Sequence, residues 1–175
     1  MNVSLVTAAV LLAKRRVPDH HLLVTLFTPT LGLVKAFAFG GQRSRDRFPV
    51  LDPFHTFEVT LDLEPEPNLP KLLRATLTTE RALDPFRHLL AVRGLSWVAR
   101  VSPPFVPEPR IWTALVSFCE TVLTCPQEDL RAELAAFGLT VLRLAGWCPP
   151  PSSVRSGMSP EDALAVVADT LERYA

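Results

Sequence analysis

The sequence predicts an α+β protein, with an N-terminal five-stranded barrel followed by an α-helical domain. Three observations lead there. Up to about residue 78 the apolar side chains fall in short runs separated by turn signals, as in strands. Beyond Asp84 they recur at helical spacing. Basic side chains gather in the first part of the chain. The expected boundary separates residues 1–80 from residues 81–175.

The first strand is expected from about Val3 to Lys14, apolar on both faces and ended by the turn at Pro18-Asp19. Leu22–Phe27 is the second strand, closed by Thr28-Pro29. Gly32 opens a third, Leu33–Phe39, closed by Gly40-Gly41 and followed by the charged loop Gln42-Arg43-Ser44-Arg45-Asp46-Arg47. In a fourth, His55–Leu63, Phe57, Val59, Leu61 and Leu63 alternate with Glu58, Thr60 and Asp62, the pattern of one buried face. Glu64-Pro65-Glu66-Pro67-Asn68 has no place inside a sheet, because proline donates no ladder hydrogen bond. Lys71–Thr78 is the fifth strand. Five short strands with one long basic loop suit an OB-fold barrel.

Asp84-Pro85 starts the first helix, an N-cap acceptor before a proline at the first helical position, and Pro103-Pro104 stops it. The second begins near Pro109, with Trp112, Leu115, Val116, Cys119 and Leu123 as its expected stripe. Pro126-Gln127-Glu128-Asp129 opens the third, whose stripe is Leu130, Leu134, Phe137, Val141 and Leu144. Ser159-Pro160-Glu161-Asp162 caps a last helix reaching about Tyr174.

Net charge is zero, but its distribution is uneven. Residues 1–50 carry seven basic and two acidic side chains, net +5, and the remainder carries 11 against 16, net −5. A basic front half is expected where one end meets a polyanion. Cys119, Cys125 and Cys148 are irregularly spaced and form neither a disulfide framework nor a metal knuckle; Cys119 and Cys148 are expected in the core. The charges at Lys14, Arg15 and Arg16 follow the first apolar run instead of preceding it, and the run is too short to span a bilayer. The expected location is cytoplasmic, with no membrane partner.

Catalysis finds no support. The chain has no Gly-rich phosphate loop, no dinucleotide fingerprint and no nucleophile elbow, so no enzyme activity and no cofactor are expected. His20 and His21 adjoin a turn without a ligand set around them, so no metal is expected either. Lys14, Arg15 and Arg16 end the first strand, and Arg43, Arg45 and Arg47 alternate through the loop after the third. There each can neutralise a phosphate and release a counterion, binding nucleic acid without reading its sequence. Lys35, Phe37 and Phe39 share one face of the third strand, and Val34, Ala36 and Ala38 the other. Either the aromatics face a groove where bases stack, or they fill the barrel; side-chain size favours the second.

These motifs carry a resemblance to a known family. Arg15-Arg16-Val17-Pro18-Asp19-His20-His21-Leu22-Leu23-Val24-Thr25-Leu26-Phe27-Thr28-Pro29 resembles the opening of the RecO family of recombination mediators. Gly32-Leu33-Val34-Lys35-Ala36-Phe37-Ala38-Phe39-Gly40-Gly41, followed by Arg43 and Arg45, is similar to that family's third strand and basic loop, and Leu51-Asp52-Pro53-Phe54 to the lead into its fourth. The resemblance implies binding of single- and double-stranded DNA, ATP-independent annealing, and partnership with RecR. It also implies contact with the C-terminal tail of single-stranded-DNA-binding protein and, indirectly, with RecA. The DNA-contacting residues it implies are Arg15, Arg16, Lys35, Arg43, Arg45 and Arg47.

This chain departs from that pattern in two ways. The four-cysteine zinc segment of many members is replaced by Pro149-Pro150-Pro151, so the chain is expected to be a shortened member without zinc. Phe39 stands where the family usually has a basic residue. The acidic back half also leaves room for a second class of function, a repair-machinery interaction module that has lost most DNA binding. Arg131 and Arg143, beside the third helix, are its expected partner-binding cations.

Overall fold

A computed structural model describes residues 3–48, 50–63 and 69–174; the proline-rich segment 64–68 lies outside the described residues. The chain divides into two compact units, Met1–Arg81 with Pro103–Pro109, and Ala82–Ser102 with Arg110–Ala175.

The first unit is built from β1 (Val3–Val17), β2 (His21–Thr28), β3 (Gly32–Ala38), β4 (Thr56–Leu63) and β5 (Lys71–Thr79). They close into a barrel in the order β1-β2-β3-β5-β4. Closure depends on the length of β1. Its first half pairs with β4, from Val3 opposite Leu63 to Val10 opposite Thr56, and its second half pairs with β2. A register shift between Leu11 and Ala13 marks the change of partner, the kind of irregularity that lets a strand turn a barrel corner. The ring is completed where Phe37 of β3 meets Lys71 of β5 in parallel.

Burial of β1 is two-sided only over Ala9–Leu12; Val6, Ala8 and Ala13 are exposed, so the expected all-round burial holds for those four residues alone. In β3 the assignment of faces is the reverse of what size favoured. Val34, Ala36 and Ala38 are fully buried, Phe37 is half-buried and Phe39 is exposed. The volume those rings would have filled is taken by Phe48 and Leu51, which descend from the charged loop into the barrel core. Small residues on β3 are what that plug requires.

β1 and β2 are joined by the three residues Pro18-Asp19-His20, of which Asp19 and His20 both hold left-handed backbone, with φ of 61° and 60°. Two consecutive positive φ values are the type I′ solution that matches hairpin twist. At the far side Gly32 has φ of 67°, and a Cβ there would lie 1.9 Å from the Val106 carbonyl oxygen. The absence of a side chain lets residues 103–107 run against the start of β3, where the Phe105 N–H donates to the Leu33 carbonyl at 3.0 Å.

The second unit contains α1 (Pro85–Val101), α2 (Pro109–Thr124), α3 (Leu130–Leu144) and α4 (Pro160–Arg173). Asp84 caps α1 by accepting from the Phe86 and Arg87 N–H groups, and Ser159 caps α4 through the Asp162 N–H. Gln127–Asp129 forms a short 3₁₀ turn leading into α3. On α2 the buried stripe is Ile111, Leu115, Phe118, Cys119 and Val122, while Trp112, Val116 and Leu123 are only half-buried. The face is rotated from the expected one because Phe118 stacks on Phe137 of α3, ring centroids 4.0 Å apart. Leu144 is likewise half-buried, and Cys148 is exposed beyond the end of α3 instead of in the core. No helix among the described residues is long and apolar enough to cross a membrane.

Candidate nucleic-acid interface

The basic residues sit where the β1–β2 hairpin and the loop after β3 meet, and backbone chemistry ties the two together. Gln42 donates twice to the hairpin, from its N–H to the His20 carbonyl at 3.0 Å and from its side-chain amide to the His21 carbonyl at 2.9 Å. The Gly40 N–H donates to His21 Nδ1 at 2.8 Å. Beyond Gly40 the loop coils instead of running extended: the Arg43 and Ser44 N–H groups donate to the Gly40 carbonyl, and the Phe48 N–H to the Ser44 carbonyl. Coiling separates arginines that alternate in sequence.

Strand register then distributes the charges. Residues directly opposite in an antiparallel pair share a face. Lys14 stands opposite Val24 and Arg16 opposite Leu22, both core residues, so these cations rise from the interior side at the barrel mouth. There Arg45 joins them around a cleft of about 520 Å³, with Gln42 on its wall and Leu22, Phe48 and Leu51 in its floor. Lys14 is ion-paired with Asp52, which lowers its share of the positive potential.

Arg15 goes to the other side. It stands opposite Leu23, which stands opposite Phe37, and the neighbouring outward row runs Ala13, Thr25, Lys35. Next to them three rings cluster. Phe37 and Phe39 lie 4.6 Å apart by centroid, and His21 lies 5.3 Å from each. Arg15 and Lys35 are exposed beside this patch.

Arg43 is exposed on the loop. Arg47 is engaged locally: its Nε donates to Ser44 Oγ at 3.0 Å, a terminal nitrogen donates to the Phe39 carbonyl at 3.1 Å, and the guanidinium lies over the Phe48 ring. It fixes the loop more than it offers a free charge. Among the described residues, no carboxylate lies within ion-pair distance of Arg15, Arg16, Lys35, Arg43, Arg45 or Arg47.

The structure thus gathers Lys14, Arg16 and Arg45 on one surface and Arg15, Lys35, Phe37 and Phe39 on another. Sequence reasoning missed His21 as the third ring, Gln42 as the bridge and Asp52 as the partner of Lys14. His21 carried a usable signal, since it alternates in phase with the outward Leu23 and Thr25. Gln42 and Asp52 carried none, because their partners lie far along the chain.

In the helical unit Arg131 pairs with Glu161 at 3.1 Å, and Arg143 is exposed near the end of α3. Cys119 is buried, Cys125 half-buried and Cys148 exposed, and among the described residues no three His, Cys, Asp or Glu side chains come together as a metal site. Among the described residues, Cys119, Cys125 and Cys148 are not brought together as a structural zinc site would require. Residues 1–81, which hold both cationic surfaces, match the family model described as recombination protein O N terminal.

Proposed function

From the premise that the chain belongs to the RecO family through its first 81 residues, we propose that it is a DNA-binding, strand-annealing accessory protein of recombinational repair. The family places it in recombinational repair. The observation that carries the finer reading is the cationic barrel end, where Arg15, Arg16, Lys35, Arg43 and Arg45 are exposed and, among the described residues, unopposed by carboxylates. Such groups neutralise phosphates and release condensed counterions, a driving force indifferent to base sequence. The exposed Phe39 with Phe37 and His21 offers π-faces on which unpaired bases stack, each worth about 1–3 kcal/mol. Annealing needs no nucleotide hydrolysis on this account. Duplex formation is downhill once phosphate repulsion is neutralised, and the protein supplies the countercharge.

In this reading the partners are single- and double-stranded DNA, RecR, the C-terminal tail of single-stranded-DNA-binding protein and, indirectly, RecA. A partner surface at Arg131 and Arg143 has weaker support, because Glu161 already faces Arg131.

Oligonucleotide affinity measured over a range of salt concentrations tests the proposal. The expected result is a steep fall with salt, and a log–log slope reduced by about 2 when Arg16, Arg43 and Arg45 become alanine. Arg131→Ala with Arg143→Ala should leave affinity within about twofold. A salt slope unchanged by the triple substitution would show that the barrel end does not hold DNA.

A further inference from the structure

We infer that one barrel binds two separate strands, one on each side of the β1–β2–β3 layer. The inference rests on the DNA-binding reading and adds to it where each strand goes.

The argument begins with pleating. Successive side chains of a strand point to opposite faces. A basic run of three therefore cannot act as one patch if the strand continues through it, and β1 continues to Val17. Its pairing proves the split: Lys14 and Arg16 lie opposite core residues Val24 and Leu22, and Arg15 lies opposite outward Leu23. Adjacent arginines thus serve different surfaces.

The two surfaces differ in chemistry. At the mouth, Arg16 and Arg45 flank a cleft lined by the exposed Val50 side chain above a floor of buried Leu22, Phe48 and Leu51. Outside, Arg15 and Lys35 flank the His21–Phe37–Phe39 rings, with Phe39 46 % exposed. Each therefore has cations for a backbone and an apolar surface for bases, and neither needs the other to be complete.

A layer of paired backbone stands between them. Cations on both sides screen the repulsion between two polyanions held this close, over a distance comparable to the Debye length of about 8–10 Å. Gln42 and the Gly40–His21 hydrogen bond couple the loop carrying Arg45 to the hairpin carrying His21, which fixes one surface relative to the other. Two strands held on one small body at fixed separation meet each other at high effective concentration. That is what an annealing protein needs.

The test uses the full chain and a thymidylate oligomer of about six nucleotides, within the span of one OB barrel. Thymidylate cannot pair with itself, so any second equivalent reflects a second site. Native mass spectrometry is expected to find one chain carrying two oligomers. Arg16→Glu with Arg45→Glu should leave one, and Lys35→Glu with Phe39→Ala should leave one. Both double variants change exposed side chains, and circular dichroism confirms folding. Each should slow annealing of complementary strands about tenfold or more while retaining oligomer binding.

Saturation at a single oligomer, or loss of all binding in either variant, would overturn the two-surface proposal and leave DNA binding intact. No binding by the unaltered chain would instead remove the DNA-binding reading itself.

Discussion

Arginine occurs in both units of this protein, in opposite settings. In the helical unit three of the side chains are spoken for. Arg87 donates to the Val122 and Cys125 carbonyls and pairs with Asp84, Arg131 pairs with Glu161, and Arg93 lies over Trp97. At the barrel end Arg15, Arg16, Arg43 and Arg45 are exposed, and among the described residues no carboxylate is paired with them. An arginine that satisfies backbone carbonyls holds a fold together. One left facing water at the rim of a sheet stores potential for a ligand. Composition alone makes the two indistinguishable.

Substitution should separate them. The largest stability effect is expected at Arg87→Ala, which leaves two carbonyls at the end of α2 without their donor and should cost about 2 kcal/mol in denaturant unfolding. Arg45→Ala should change stability by less than about 0.5 kcal/mol. Comparable losses at the two positions would erase the distinction.

Arg47 lies between these extremes, a barrel-end arginine with the bonding habits of the helical unit. Arg47→Ala removes the clamp between Ser44 and the Phe39 carbonyl, and about 1 kcal/mol of stability should go with it. Arg47→Lys should not restore it, since an ammonium lacks the planar fork that spans both acceptors.

The smallest effect concerns His55 and its neighbour Arg81. Arg81 is buried, donates to the Phe54 carbonyl and Thr56, and sends its backbone N–H to Nδ1 of His55. Burial, the main cause, lowers the His55 pKa below 6.5, against the opposing pull of Asp52 and Glu80; the charges of Arg81 and Lys14 lower it further. Below 6.5 the unfolded chain therefore binds a proton that the folded chain refuses. Stability should rise with pH across the window between the lowered value and 6.5, and fall on acidification through it. His55→Asn, which keeps an acceptor but does not titrate, should flatten that part of the stability profile.

How far the residues alone disclosed this arrangement depends on what sort of constraint was involved. The order of five strands and four helices was legible, because proline, glycine and capping residues act on their own neighbourhoods: Asp84-Pro85 and Ser159-Pro160 start helices where they stand. Alternation correctly grouped Phe37 with Phe39 and Ala36 with Ala38. It could not say which group faces in, since that was decided by Phe48 and Leu51 arriving from the following loop to fill the barrel. The same limit governs the interface. The basic residues were visible by type, but their division between two surfaces depends on β1 continuing to Val17 and on coiling of the loop. The role of Arg47 depends on a carbonyl eight residues away.

The return of residues 103–109 to the first unit has a practical consequence. A fragment cut after residue 81 retains the family-matched span yet loses the segment lying along Leu33 beside Gly32. Its β3 would be left with a naked flank, and bare sheet margins invite pairing with other molecules. Such a fragment should clump unless Pro103–Pro109 travels with it.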